Sequence, residues 1–292
     1  MTLSLDHVGY VGASMAAMRQ TMRRLGFAPT EPRELMAVDA ATGVARSLQQ
    51  HSCHIVLEHG YLELSAISNP APGHHLAPWL SSAAGLKILA FGAPDIEGVR
   101  AATAANGLAC SKVMHASRRI DYGARHGDAQ FRWFMLEAAA SPEGLICVVR
   151  NETPELVFQP EVTAHPNNAR RLVEVVLMAR DVESLAARYS ALTGASFAAG
   201  AHGRTAPLAE GALTLGTAAD IAVRFGATAA APLGAEPRGA PRDAIAAIVI
   251  QVADIEAATR SLSAGDVGFE RRGDAIIVAA AQACGAALVF RP

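Results

Sequence analysis

Cysteine is scarce in this chain, and its spacing excludes two classes of small protein. Four cysteines occur in 292 residues, and no two of them have the CxxC spacing of a structural zinc site. A disulfide scaffold is also excluded, because such scaffolds are short and dense in cysteine. We therefore expect reduced, mostly buried thiols at Cys53, Cys110, Cys147 and Cys284.

Long apolar runs and an excess of positive charge are absent as well. No uninterrupted apolar run reaches the roughly 18 residues of a membrane span, and Asp6 and His7 interrupt the first apolar stretch. The formal net charge is -2, so nothing draws the chain to nucleic acid or to an anionic membrane. The sequence predicts a cytoplasmic protein with neither nucleic acid nor membrane as a partner.

Three common catalytic motifs are also missing. The stretch GASMAAMRQ lacks the Gly-Lys-Ser/Thr ending of a phosphate loop, and neither GxSxG nor HExxH occurs. These absences exclude a P-loop nucleotide site, a serine nucleophile elbow and the helical site of zinc proteases.

The chain does contain one sequence pattern, a strand followed by a capped helix, that is repeated four times. Apolar, strand-like segments begin at Leu5, Leu86, Leu172 and Ile245. Nine positions after each start comes a residue suited to capping a helix, namely Ser14, Asp95, Asp181 and Asp254. A glycine that can end the helix follows 20 to 22 positions after each start. Because self-similarity at a fixed phase indicates a repeat architecture, four structural units are predicted.

Each unit is predicted to be a strand, a helix and three further strands. Apolar residues recur at spacings of three and four after the cap, as at Met15, Met18 and Met22, which indicates a helix with one buried face. Strand candidates follow, most clearly at 54–67, 131–138, 144–150 and 274–290, and in the third unit around ALTLG and IAVRFG. The expected fold class is α+β, built from four βαβββ units.

Two stretches interrupt the repeat and divide the chain. Residues 153–169 predict a connector between an N-terminal domain, 1–152, and a C-terminal domain, 170–292. Residues 227–243 are rich in Ala, Pro and Gly and have no period, which predicts a loop between the third and fourth units. The expected architecture is therefore two domains of two units each.

Three segments resemble the vicinal-oxygen-chelate superfamily, which includes glyoxalase I, bleomycin-resistance proteins and type I extradiol dioxygenases. The pattern DHVGYV, with a cap seven residues after its His, and GYLELSAI at 60–67 resemble the first unit of that superfamily. The tract TPELVFQPEVTAHPNNA resembles the connector of glyoxalase-like-domain proteins. The resemblance covers nearly the whole chain, and it implies that units one and two, and units three and four, pair into half-open barrels.

The resemblance also implies a divalent metal site. In the superfamily the first and last strands of a unit supply ligands, and these positions are His7 and Glu63 in the first unit. An imidazole and a carboxylate suit Zn, Ni, Mn, Fe or Co, with open positions for two neighbouring substrate oxygens. An unpartnered carboxylate on a buried strand is costly, which favours a functional role for Glu63.

The matching positions of the other units are poor in ligands. They are Ile88, Glu174 and Ala247 at the His7 register, and Cys147 and Val289 at the Glu63 register. The second domain is therefore expected to be structural or to close a pocket, with Glu174 paired to an arginine such as Arg224. Nine of the ten histidines precede residue 166, which also favours chemistry in the N-terminal domain.

Other residues are candidates for contact with a ligand. His54 is a candidate general base, with a core histidine as an equal alternative. Cys147 is a candidate third metal ligand or substrate contact, and His165 either pins the connector or contacts substrate. Arginines of the second unit could clamp a carboxylate or phosphate, with Arg132 favoured and a solvated loop slightly preferred for Arg118, Arg119 and Arg125.

The sequence leaves two functions open. The first is a metal-assisted lyase, isomerase or dioxygenase acting on a small oxygenated organic molecule, in which Glu63 is a ligand or a proton shuttle. The second is a metal-free protein that binds or sequesters a small molecule, as bleomycin-resistance proteins do. Intact ligand sets would favour the first function and missing ligands the second. A homodimer is a further expectation.

Overall fold

The computed structural model describes residues 2–67, 70, 73–80, 85–227 and 243–292. Within these ranges the first unit comprises β1 (Ser4–Gly12), α1 (Met15–Arg24), β2 (Arg33–Val38), β3 (Ala45–Val56) and β4 (Tyr61–Ile67). The second comprises β5 (Gly85–Gly92), α2 (Ile96–Ala105), β6 (Met114–Ile120), β7 (Gly127–Met135) and β8 (Leu145–Asn151). A short helix, α3 (Pro154–Val157), follows in the connector.

The second half of the chain repeats this order with one addition. Its third unit comprises β9 (Ala169–Met178), α4 (Val182–Thr193), β10 (Ala198–Gly200), β11 (Gly203–Pro207), β12 (Ala212–Gly216) and the added helix α5 (Ala218–Phe225). Its fourth comprises β13 (Ala244–Val252), α6 (Ile255–Ala264), β14 (Glu270–Arg272), β15 (Ala275–Val278) and β16 (Ala287–Arg291). The α+β fold of four βαβββ units is thereby confirmed. Apart from its border residues, the loop expected at 227–243 lies outside the described residues.

The predicted caps begin the helices of all four units. Ser14, Asp95 and Asp181 each accept a hydrogen bond from the backbone N–H three residues further on, and Asp254 accepts one from Glu256. Gly194 ends α4 in the left-handed conformation, with φ of 70°. None of the helices in the described ranges has the length and apolar character that a membrane span requires.

Units one and two pair into a closed barrel with the strand order β1-β4-β3-β2-β6-β7-β8-β5. β1 runs antiparallel to β5 at one seam between the units, and β2 pairs with β6 at the other, where Leu35 lies opposite Arg118. The second seam closes what the resemblance implied would be half open. This pairing also places the inward side chains of β6, such as Arg118, inside the barrel.

Units three and four form an open sheet with the order β10-β11-β12-β9-β13-β16-β15-β14. The pairing of β9 with β13 corresponds to that of β1 with β5, whereas the edge strands β10 and β14 do not meet. The largest apolar core contains residues of both halves, including Phe91 and Tyr189, whose ring centroids are 6.2 Å apart. Helices α1, α2, α4 and α6 thus pack between the two sheets. The face of each sheet that points away from these helices is called its inner face below.

The expectation of a strand at IAVRFG, residues 221–226, was wrong, because this segment belongs to α5. Thr217 and Asp220 form a reciprocal capping box at its start, which favours a helix. Ile221 and Phe225 lie one turn apart and are buried against the inner face of the open sheet. A short apolar run does not by itself distinguish a buried helix from a strand, so only the cap upstream could have corrected the prediction.

Candidate functional site

The candidate site lies inside the closed barrel, where β1 and β4 run side by side in parallel. In this register His7 is the partner of Tyr61, and Gly9 is the partner of Glu63. The side chains of His7, Tyr61 and Glu63 therefore lie on the same, inner face. His7 is 6% and Glu63 is 7% exposed. Nε2 of His7 lies 3.7 Å from Oε2 of Glu63, and the imidazole stacks on the Tyr61 ring with centroids 4.3 Å apart. The structure therefore places the two candidate metal ligands on one wall.

Asp6 orients His7 through an irregularity in β1. The register with β5 shifts between Leu5 and His7, which leaves Asp6 without a partner on β5. Oδ1 of Asp6 lies 2.6 Å from Nδ1 of His7. Because a carboxylate accepts this hydrogen bond, Nδ1 donates it, and Nε2 is the ring nitrogen that faces Glu63.

Glu63 is held by two neutral side chains. Its Oε1 accepts hydrogen bonds from Nε2 of Gln50, at 3.1 Å, and from the hydroxyl of Ser65. Gln50 is buried, and it follows Gln49, whose φ of 55° marks an irregularity in β3. One carboxylate oxygen is thereby fixed, while Oε2 is left on the side of His7.

The cavity beside these residues has an empty volume of about 570 Å³, including its open mouth. Apart from Arg118, the wall from the second unit is largely apolar, with Ile88, Phe131 and Trp133 among its residues. Cys147 lines the same cavity, and burial, reinforced by the charges of Asp6 and Glu63, raises the pKa of its thiol. Cys147 is therefore a neutral thiol at neutral pH, which suits an apolar wall better than a metal ligand.

His54 faces the interior from β3, opposite Glu63, but it lies beside Tyr61 rather than on the cavity wall. Its ring meets Tyr61 edge-on with centroids 5.2 Å apart. Burial, and then the charges of Arg118 and His7, lower the pKa of His54 well below its usual value. A histidine in this environment is a weak base.

The structure places Arg132 and His165 away from the cavity lining. Nε of Arg132, on β7, donates to the carboxylate of Glu152, which directly follows β8, at 2.6 Å. Nδ1 of His165 accepts from the backbone N–H of Ala28 at 3.2 Å, and its Nε2 lies 2.9 Å from the carbonyl oxygen of Val56. Both ring nitrogens of His165 are thus engaged by backbone, as the connector-pinning alternative expects.

Sequence reasoning missed several inward residues of this site. Asp6 was hidden because strict strand alternation places it on the face opposite His7, and Gln50 and Ser65 carry no motif. The preference for a solvated loop at Arg118 was wrong, since Arg118 lies on β6, is 4% exposed and lines the cavity. Its alternation with the buried Ala116 and Ile120 was the signal that could have revealed it.

The residues present fit part of a divalent metal site. Nε2 of His7 and Oε2 of Glu63 converge, and Asp6 supports His7 in the way that outer carboxylates support metal-bound imidazoles. Across the described ranges, however, no group of three or more His, Cys, Asp or Glu side chains is arranged to hold an ion. An ion bound here would take its other ligands from water or substrate.

The second half has an ion pair at the corresponding place. Nη1 and Nη2 of Arg224 on α5 donate to the two carboxylate oxygens of Glu174 at 2.5 and 2.8 Å, as expected from the sequence. Thr214 donates to the same carboxylate at 2.6 Å. Ala247 and Val289 are buried in the apolar cluster that contains Ile221 and Phe225 of α5. Side chains of α5 thus cover the part of the inner face around Ala247 and Val289, beside a cavity lined by Glu174, Thr214 and Arg224.

Comparison with protein families matches a glyoxalase-like domain to residues 5–193. Because this match spans more than half of the chain, the chain belongs to the glyoxalase-like domain family, within the vicinal-oxygen-chelate superfamily. A search of curated proteins found no significant match.

Solved structures with the same fold include a hypothetical protein from Staphylococcus aureus, with a TM-score of 0.64, 9% identity and 100% coverage of both chains. The Mn(II)-bound glyoxalase from Novosphingobium aromaticivorans has a TM-score of 0.56 and 11% identity, over 99% of this chain and 81% of that one. A triple mutant of 4-hydroxymandelate synthase from Streptomyces coelicolor also has a TM-score of 0.56 and 11% identity, over 99% and 93%. At such identities the likeness shows the fold alone.

Proposed function

We propose that the N-terminal barrel is the active site of an enzyme that moves a proton on a small oxygenated organic molecule. The observation that carries the proposal is the placement of His7. Its Nδ1 is hydrogen-bonded to Oδ1 of Asp6 at 2.6 Å, so its Nε2 is available to a substrate beside Glu63. A histidine whose second nitrogen is held by a carboxylate is an oriented base.

The chemistry follows from these three side chains. Nε2 of His7 takes a proton from a carbon next to a carbonyl, and the electron pair of that bond moves onto the carbonyl oxygen. Asp6 stabilises the imidazolium that forms. In an isomerisation the proton returns, from His7 or through Glu63 at 3.7 Å, to the former carbonyl carbon, while the hydroxyl proton on the deprotonated carbon passes to the former carbonyl oxygen and leaves a new carbonyl behind. In a lyase reaction a leaving group departs instead, with its bonding electron pair, from the carbon on the other side of the deprotonated carbon, and a double bond forms between these two carbons as the carbonyl is restored.

His7 and Glu63 are also the side chains that would hold a divalent ion such as Zn, Ni, Mn, Fe or Co. Because such an ion would occupy Nε2 of His7, Glu63, once displaced by substrate, would then be the base that removes the proton. A bound ion would polarise a carbonyl oxygen and the hydroxyl oxygen on the next carbon, and so favour proton removal from that hydroxyl-bearing carbon. The Mn(II)-bound glyoxalase among the structural neighbours supports a divalent ion in a barrel of this fold.

A metal-free binding protein is the second candidate. It is favoured by the absence, within the described ranges, of a third side chain to complete a metal site. In that case the cavity holds its ligand without transforming it, and His7 and Glu63 serve as hydrogen-bonding groups.

Untagged protein would test the proposal. Metal content and Mn²⁺ binding would be measured, followed by proton exchange in heavy water on 2-hydroxyacetophenone, a neutral probe with two adjacent oxygens, using NMR. We expect exchange by the native protein, with or without metal, and its loss in His7→Ala and Glu63→Gln. His126→Ala and Glu161→Gln, two exposed positions, serve as controls. Probe binding without exchange would instead support the binding protein, and full exchange by His7→Ala would refute the proposed base.

A further inference from the structure

Arg118 is a buried cation that interacts with the side chain of Tyr122 and with the Phe131 ring, yet two of its three guanidinium nitrogens lack a hydrogen-bond partner in the described chain. It is 4% exposed and projects inward from β6. Among the residues that the structure describes, neither its Nε nor its Nη2 has a hydrogen-bond partner. A guanidinium does not lose its proton in proteins, so its charge cannot be removed by titration. Burial of such a charge without a partner is costly unless something else compensates for it.

The carboxylates near Arg118 have other partners. Glu63 is held by Gln50 and Ser65, and Asp6 by His7. The neighbouring Arg119, on the opposite face of β6, is exposed and lies 3.5 Å from Asp128. Within the described chain no ion pair includes Arg118, although it lines the same cavity as His7 and Glu63.

The two unused nitrogens define the group that would satisfy them. Nε–H and Nη2–H point from one edge of the guanidinium plane, and two parallel hydrogen bonds from such an edge match the two oxygens of a carboxylate. A phosphate dianion fits less well, because the cavity offers one unpaired guanidinium and also contains the carboxylate of Glu63.

The surroundings of Arg118 define the rest of the ligand. Its guanidinium carbon lies 5.2 Å from the centroid of the Phe131 ring, and Leu35 is its partner on β2. Trp133 continues this apolar wall towards the mouth. An aromatic or branched apolar body would lie against these side chains, while its polar end reaches the guanidinium.

We propose that Arg118 binds the carboxylate of a small apolar monocarboxylic acid, and that this acid is the substrate class of the barrel. The assignment of a reaction to that acid rests on the proposed function, whereas the binding of its carboxylate does not. In the bound acid, the oxygens next to the reacting carbon would lie towards His7 and Glu63.

Calorimetric titration with benzoate, benzamide and inorganic phosphate, in the presence of a chelator, tests the assignment. We expect benzoate to bind the native protein and to bind Arg118→Met at least about tenfold more weakly. Arg118→Lys, which keeps the charge but not the paired donors, should show an intermediate loss. Arg119→Met, the same change at the next residue, should bind benzoate as the native protein does. Benzamide, which lacks the carboxylate, should bind the native protein and Arg118→Met with equal affinity.

A stability measurement guards against a variant that binds poorly because it is misfolded. Without ligand, Arg118→Met should unfold at a higher temperature than the native protein, since it removes an unpaired buried charge. Benzoate should raise the unfolding temperature of the native protein alone. Equal benzoate binding by Arg118→Met, binding of phosphate in preference to benzoate, or no benzoate binding by the native protein would each overturn the assignment. Benzoate binding that depends on Arg118, together with no exchange on 2-hydroxyacetophenone, would overturn the proposed reaction alone.

Discussion

Asp6 and His7 are consecutive residues of β1, and their side chains are joined by a hydrogen bond of 2.6 Å. Successive strand residues ordinarily point to opposite faces, so this contact depends on the local shift in register between β1 and β5. The bond determines which nitrogen of His7 faces the cavity. The reactivity of the site is therefore linked to an irregularity of the backbone.

The first prediction concerns Asp6. Asp6→Asn keeps the size of the side chain but removes the charge that holds the Nδ1 proton and stabilises the imidazolium. We expect proton exchange, and any affinity for Mn²⁺, to fall by about 10- to 100-fold with little change in stability. NMR exchange and metal titration would measure these effects, with Asp128→Asn as the exposed control. Unchanged exchange in Asp6→Asn would show that the contact is only structural.

The second prediction locates binding in the N-terminal half. His7→Ala and Glu63→Gln should remove metal binding and exchange while the protein stays folded. Glu174→Gln should leave both intact, but it leaves Arg224 without its charged partner and should lower the free energy of unfolding by about 1–3 kcal/mol. Calorimetry and thermal unfolding of the three variants would separate the effects. Loss of binding only in Glu174→Gln would move the site to the second half.

The third prediction concerns the cost of keeping Arg118. Replacing a buried, unpaired guanidinium with a methionine of similar length should raise the free energy of unfolding of the unliganded protein by about 1–3 kcal/mol. Denaturant unfolding of the native protein, Arg118→Met and the control Arg119→Met would measure this change. Destabilisation by Arg118→Met alone would indicate that Arg118 stabilises the barrel instead.

The fourth prediction is a dependence of stability on pH through His54. Its pKa in the folded protein is lowered, first by burial, so below its usual value of about 6.5 the unfolded chain binds a proton that the folded chain does not. His54 therefore contributes fully above about pH 6.5, and its contribution falls on acidification by up to about 1.4 kcal/mol per pH unit. His54→Gln should lower this slope, whereas His126→Gln, at an exposed position, should keep it. Urea unfolding between about pH 7 and about pH 5 would show whether the slopes differ. Equal slopes in native protein and His54→Gln would contradict the prediction.

Sequence periodicity was sufficient for the strand and helix order of the four units, apart from α5, because caps such as Asp95 and Asp181 act locally on the first turn of their own helix. The placement of His7 and Glu63 on one wall could likewise be predicted from strand alternation and from the resemblance. Asp6 was not accessible, because a shift in register depends on the partner strand. The same limit applied to Arg118, whose burial follows from the pairing of β2 with β6, two strands of different units. Long-range pairing thus decided the part of the site that local patterns could not predict.

Helix α5 makes the inner faces of the two halves different. In the second half Arg224 and Phe225 reach from α5 onto the inner face, so a cation and an apolar group fill the place that a ligand would occupy in the first. Inward positions accordingly differ between the halves, as His7 does from Glu174, while the helix caps keep their phase. The second half thus carries its own occupant at this place, whereas the first half keeps a cavity there.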